Sequence, residues 1–243
     1  MKRYAILLLL LWVPTLLLAQ DSATNSQKES YRKARKRHAV EQITNLHEGV
    51  LLVRLKTRQT TIDALRERGK TEKAAQVEAE QKRYNQALVA AFKTNFNFCP
   101  VYFFYSYHTQ KVKLGQLDSV EFLDAELQPD ASIRLDNPYY LVAEITEVVG
   151  DTAKYFDHYY YEPTAKGPER KASYYGGNNL GFEALVMKSD QFIQLTRPFP
   201  YYERLLQKSL PTIVGGMNDR LHRFYQRKRK QQKRKAERRG RRQ

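Results

Sequence analysis

The chain divides by the period of its apolar positions. Residues 28 to 94 contain no proline, and Val40, Ile43, Leu46, Val50 and Val53 recur at steps of three and four. Ala74, Val77, Tyr84, Ala87, Leu88, Ala91 and Phe92 resume that spacing after a break. This is the period of an amphipathic helix. The break reads RERGKTEK, in which Gly69 ends one helix and Thr71 caps the next. The expected product over 38–94 is an antiparallel helical hairpin.

Beyond residue 95 the pattern turns to strand. VYFFYSY, SVEFL, YYLVAEITE, KYFDHYYY, KASYY and FEALVMK are rich in β-branched and aromatic residues, with glycine or polar punctuation between them. Leu141, Ala143 and Ile145 fall on one side of a strand, Glu144 and Thr146 on the other, which predicts one wet face. VVGDT, YYGGNNLG and KSDQF read as turns. The short spacing favours antiparallel neighbours, because parallel ones need crossovers of about a dozen residues or more. Pro198 and Pro200 interrupt the sheet region, which spans 95–210. A last helix is expected over 211–226, with Pro211 near its start and Val214, Met217, Leu221 and Phe224 as its stripe. The fold class is α+β: an N-terminal antiparallel helical hairpin packed on an antiparallel β-meander, a closing C-terminal helix and a disordered basic tail.

The opening MKRYAILLLLLWVPTLLLAQDS sets Lys2 and Arg3 before an apolar run that ends at the small residue Ala19. That is the layout of a cleaved export signal over 1–20. The run falls short of the roughly 20 apolar residues that span a bilayer, and Pro14 interrupts it. Export to a periplasm or to the outside is the expectation. The single cysteine cannot close an intrachain disulfide, so stability must come from packing.

Charge sharpens this division. The formal net charge is +16. Residues 220 to 243 carry thirteen Lys or Arg against Glu237 alone, and residues 22 to 37 carry six against Glu29. The stretch between them is close to neutral. Basicity therefore belongs to an N-terminal extension, 21–37, and a tail, 227–243. The tail, RKRKQQKRKAERRGRRQ, has no side chain able to build a core. Repulsion should leave it extended or loosely helical. Arg227, Lys228, Arg229, Lys230, Lys233, Arg234, Lys235, Arg238, Arg239, Arg241 and Arg242 are its candidate contacts for an anionic surface. Such a run attracts polyanions by counterion release, or lipid headgroups at about 1 kcal/mol per basic residue. In an exported protein an anionic envelope polymer or lipid headgroups fit better than nucleic acid.

Candidate chemistry is sparse. NFNFCPVYFFYSYHTQ, residues 95 to 110, holds Cys99 at the entry of a strand apolar on both faces. A buried small hydrophobe is the expected role. A thiolate served by His108 would need its base about 30 Å along that strand, at roughly 3.3 Å per residue. His38, His47, His108, His158 and His222 show neither HxH nor HExxH spacing, so no metal is expected. No phosphate-cradle or nucleophile-elbow motif is present, and no cofactor is expected. Asp118, Glu121, Asp124, Glu126 and Asp130 read as a solvated acidic face, without the glycine that an EF-hand loop requires.

Tyrosine is the positive signal. Ten of seventeen lie at 139, 140, 155, 159–161, 174, 175, 201 and 202. Tyr159, Tyr160, Tyr161, Tyr174 and Tyr175 are candidate contacts for a protein or glycan, since tyrosine joins apolar area to a polar tip. The expectation is an exported, non-enzymatic binding or structural module. Its rivals are a hydrolase assembled from His108 or His158 with Asp157 or Glu144, and a nucleic-acid-binding protein acting through the tail.

Overall fold

The structure, a computed structural model, describes residues 13–136, 138–149, 155–164, 167–175 and 181–240. Its elements in chain order are α1 (Val13–Glu48), β1 (Val50–Leu55), α2 (Gln59–Glu67), α3 (Thr71–Asn95), β2 (Val101–Tyr105), α4 (Thr109–Lys113), β3 (Phe122–Leu123), β4 (Tyr140–Glu147), β5 (Tyr155–Thr164), β6 (Gly167–Tyr175), β7 (Glu183–Lys188), β8 (Tyr202–Arg204) and α5 (Leu210–Gly240). Helix and sheet segregate as an α+β fold.

The finer layout differs from the expected helical hairpin. A strand, β1, separates α1 from α2 and α3. The spacing of Leu46, Val50 and Val53 suits a helix, but Leu51 and Leu52 fill the gaps and leave no polar face. A short apolar run of this kind is the signature of a strand buried on both sides. Gly49 makes the junction possible. A Cβ there would lie 2.1 Å from the Tyr139 carbonyl oxygen and 2.8 Å from that of Asn45. The Val50 N–H then donates to that same Tyr139 oxygen at 2.9 Å, which seats β1 beside β4.

The sheet is also mixed rather than an antiparallel meander. Its order is β3-β2-β1-β4-β7-β8. β1 runs parallel to both β2 and β4, while β3, β7 and β8 are antiparallel to their neighbours. The crossover that permits a parallel β1–β2 pair is the α2–α3 segment. β5 and β6 form a separate two-stranded ribbon.

One sheet face packs on α1, α3 and α5. Leu51, Val53, Phe103, Leu141, Ala143, Leu185 and Met187 meet Ile43, Leu46, Leu88, Phe92, Ile213, Met217 and Leu221 in one core. The other face is not wet. The segment from α4 to Leu135 folds over it, and Val112, Leu117, Val120, Phe122 and Leu135 bury Val50, Leu52, Phe104 and Val142. Glu144 is consequently only 3 % exposed, not solvated as its alternation with Ala143 suggests.

At the C-terminus α5 begins at Leu210, beside Pro211 as expected, with Ser209 Oγ accepting from the Thr212 N–H. The helix then continues through the tail to Gly240. Between Met217 and Arg239 the sequence holds neither proline nor glycine, and Lys, Arg, Gln, Ala and Glu are good helix formers. That propensity decides the local conformation where no core is available. Among the described residues no helix is long and apolar enough to cross a membrane. Residues 1–12 of the expected leader lie outside the described residues, and 13–20 open α1.

Candidate functional site

The two basic stretches, far apart in sequence, lie on packed helices. Ala39, Ile43 and Leu46 of α1 share a core with Met217 and Leu221 of α5. Where that core ends, the His47 ring stacks on Tyr225 with centroids 4.2 Å apart and planes at 8°. Phe98 meets His47, His222 and Tyr225 edge-on. Asn97 ties the same corner: its N–H donates to Asn218 Oδ1 at 3.0 Å, and its Oδ1 accepts from Asn218 Nδ2 at 3.1 Å. His222 Nε2 lies 2.9 Å from that Asn97 oxygen.

Before Ala39 on α1, and past Tyr225 on α5, the helices turn cationic. The core-facing stripe Val214, Met217, Leu221, Phe224 continues into Lys228. One turn before Ala39 stands Lys36. Burial, and then the neighbouring Lys36 and Arg227, lower the Lys228 ammonium below the usual lysine value. Its Nζ rests 4.9 Å from the centroid of the Phe224 ring. Packing thus holds like charges within reach of one another. Arg32, Lys33, Arg35, Lys36 and Arg37 lie on α1, and Arg223, Arg227, Arg229, Lys230, Lys233 and Arg234 on α5, the two helices coming within electrostatic reach at Lys36 and Lys228. The side chains of Lys235, Arg238 and Arg239, and all of Arg241 and Arg242, lie outside the described residues.

The tyrosine ribbon is the second feature. Tyr159 pairs with Ala172, Tyr160 with Lys171 and Tyr161 with Arg170. Alternation puts Tyr159 and Tyr161 on one face and Tyr160 on the other. Tyr161 is 67 % exposed and Tyr159 53 %. The Arg170 guanidinium lies 3.7 Å from the Tyr159 ring centroid, a cation–π contact that stiffens this face. On the opposite face Lys171 pairs with Glu162. Tyr174 and Tyr175 belong to β6, but their side chains lie outside the described residues.

Cys99 is buried, and His108 and Glu144 are held by neighbouring side chains. Cys99 is 8 % exposed, and burial pushes its thiol up to about 12, so the thiolate is inaccessible near neutrality. His108 faces Glu121 at 3.3 Å, and Glu144 is occupied by Arg54 and Lys188. Asp157 and His158 lie on β5, with side chains outside the described residues. In the acidic stretch, Asp124 Oδ1 accepts from the Glu126 and Gln128 N–H groups, and Asp130 Oδ1 from Ser132. Those two carboxylates close turns.

No family model, curated protein or solved structure matches this chain. The chemistry of its residues carries the functional reading. Two partners escaped one-dimensional reading: the approach of Lys36 to Lys228, and the ion cluster around Glu144. Neither has a local motif, because each is made by elements that meet only in the fold.

Proposed function

We propose that the protein is an exported, non-enzymatic module of the cell envelope that holds an anionic surface with its basic end. The observation that carries this reading is the packing of α1 against α5, which brings Lys36 of one basic run within electrostatic reach of Lys228 in the other. A pair of helices rich in Lys and Arg neutralises phosphates or carboxylates by releasing counterions. Past Tyr225 the described part of α5 has no apolar side chain larger than Ala236, so it offers no face for insertion into acyl chains. Contact with an anionic envelope polymer, or with lipid headgroups at their outer plane, fits that composition. Nucleic acid would meet the same charge only in another compartment. The Tyr159–Tyr161 face of the ribbon is the proposed contact for a glycan or protein, because exposed rings beside a guanidinium suit stacking on sugar faces.

Retention on anionic vesicles and on a polyanion column tests the reading. Changing the Lys and Arg residues of 227–239 to Gln should reduce retention and flatten its salt dependence. Retention that is unchanged and independent of salt would sink it. A signal-cleaved N-terminus found on protein from fractionated cells checks the compartment.

A further inference from the structure

The parallel strands β1 and β4 end at a crevice of about 480 Å³, within the size range of small-molecule sites. Lys56 and Arg58 line it from the chain leaving β1, Tyr84 from α3, Ile145 from β4, Glu183 from the start of β7 and Leu205 from the chain after β8. Because β7 is antiparallel to β4, its start lies beside the end of β4, with Glu183 opposite Glu147. These groups therefore share one end of the sheet. The His47 corner, which precedes β1, belongs to the other.

The topology gives this end its crevice. From β1 the chain leaves through α2 and α3 to β2 on one flank of the sheet, and from β4 it goes on through the ribbon to β7 on the other. Where two neighbouring strands send their connections apart, a gap opens outside their carboxyl ends, and open sheets bind ligands there. The floor of the gap is buried and fixed. Leu88, Asn85 and Ile145 form it, and all three are buried. Asn85 Nδ2 donates to the Lys56 carbonyl at 2.9 Å, and its Oδ1 accepts from Gln81 Nε2 at 2.9 Å, which ties α3 to the chain leaving β1. The Leu205 N–H donates to the Glu183 carbonyl at 3.1 Å.

Three charged groups of the lining are uncommitted. Arg54 is held by Glu144, and Glu80 accepts from Gln76 Nε2 at 2.9 Å. Lys56, Arg58 and Glu183 have neither an ion-pair partner nor a side-chain hydrogen bond among the described residues. Burial, and then the charge of Glu183, raise the Tyr84 phenol above its usual value, so this carboxylate lies within electrostatic reach of the α3 wall. Arg58 holds a left-handed backbone, φ 53°, which glycine would adopt without strain. A long cationic side chain in that conformation, in the lining of a crevice, points to a use for the side chain.

We propose that this crevice binds a zwitterionic dipeptide with apolar side chains. The peptide carboxylate pairs with Lys56 and Arg58, the ammonium with Glu183, and the side chains lie on Leu88, Ile145 and Leu205. Guanidinium matches a carboxylate with two parallel bonds. The span suits two residues rather than one. β1 and β7 stand two strand spacings apart, about 10 Å. The charged ends of an extended dipeptide are about 7 Å apart, which leaves room for a hydrogen bond, whereas a single amino acid falls well short. The crevice is separate from the basic end, and its ligand is independent of the surface contact proposed above.

Titration calorimetry of the full chain with leucyl-leucine, its N-acetyl form, its C-terminal amide and glycyl-glycine tests the site. The expected result is saturable one-to-one binding of leucyl-leucine, with each capped form weaker by about tenfold or more, as loss of a charge-assisted bond implies. Glycyl-glycine, without apolar side chains, should also bind more weakly. The variants should remove these preferences one at a time. In Lys56→Gln combined with Arg58→Gln, leucyl-leucine should bind no better than its amide but still better than its N-acetyl form. In Glu183→Gln it should bind no better than the N-acetyl form but still better than the amide. Thermal melting shows that each variant is folded, and either variant alone carries the test if the other is not. No saturable binding of leucyl-leucine, capped forms that bind as well as the free peptide, preferences unchanged in both variants, or a uniform loss of all ligands in both would each overturn the proposal.

Discussion

Arg54 of β1 donates from Nη1 to Glu144 Oε2 of β4 at 2.5 Å, across a sheet face covered by protein. Lys188 of β7 donates to the other oxygen of the same carboxylate, and Thr109 Oγ1 accepts from Arg54 Nε at 2.8 Å. Three strands and α4 are thereby joined through one buried anion. Burial alone would raise the Glu144 carboxyl; the hydrogen bonds and charges of Lys188 and Arg54 outweigh it and hold the group below its ordinary value.

Glu144→Ala should therefore leave two cations facing an emptied site. The expected loss is about 3 kcal/mol, the low end for a broken buried pair, since Arg54 and Lys188 each retain some solvent. Urea unfolding measures it. Because the folded-state value is depressed, the stabilisation is present in full above the unfolded value of 4.5 and is lost as pH falls through the folded value. Stability of the wild-type protein should thus decline in acid below about pH 4.5, more steeply than that of Glu144→Ala. Equal acid sensitivity in both proteins would contradict the assignment.

Gly49→Ala tests the β1–β4 junction. The backbone at Gly49 is not left-handed, so the cost comes from proximity alone. A methyl group would collide with the Tyr139 and Asn45 backbone carbonyls, the first of which already accepts from Val50. A loss above about 2 kcal/mol is expected, well beyond the usual effect of Gly to Ala near a helix end. An unchanged denaturation midpoint would mean that β1 does not enter the sheet here.

The sequence makes the class of this fold legible and most of its strands, because β2, β4 and β7 carry continuous or alternating apolar runs bounded by turn residues. It hides β1, whose spacing satisfies two periods at once. It also misleads on Glu144: alternation shows which side of a strand a residue occupies, but not whether another segment covers that side. The cover comes from Val112, Leu117 and Leu135, in a stretch with little regular structure of its own. Of the candidate sites, the charge runs and the ribbon tyrosines are visible as composition. Their arrangement is not, since Lys36 comes within electrostatic reach of Lys228 only through the packing of α1 on α5.

That meeting predicts a stabilising charge reversal. Lys36→Glu turns a repulsion across α1 and α5 into an attraction, and Tm should rise by an amount equivalent to about 0.5 kcal/mol, as for a solvent-accessible pair. A lysine whose folded value is depressed costs stability while protonated. That cost fades as pH rises through the folded value toward the unfolded 10.5. Wild type should therefore gain on Lys36→Glu between neutral and alkaline pH. A gain from Lys36→Glu that persists in Lys228→Gln would show that the two residues do not interact.

The cationic part of α5 should be a helix whose strength depends on its surroundings. Arg223 and Arg227, Lys230 and Arg234, and Arg229 and Lys233 are like charges four residues apart. Each such pair costs a helix about 0.2–0.5 kcal/mol. Opposing this is the high intrinsic propensity of Lys, Arg, Gln and Ala, and the anchoring of the first turns by Ile213, Met217 and Leu221 in the core. The balance is close, and exposed charges are screened strongly: the Debye length falls from about 30 Å at 0.01 M salt to about 8 Å at 0.15 M. Far-UV ellipticity should accordingly deepen with added salt, and further with a soluble polyanion that neutralises the arm. In the variant with Gln at the basic positions of 227–239 the repulsion is gone, so its ellipticity should be deep at low salt and indifferent to polyanion. Were wild type equally indifferent at low salt, the arm would already be fully formed or wholly unfolded, and repulsion would not be what governs it.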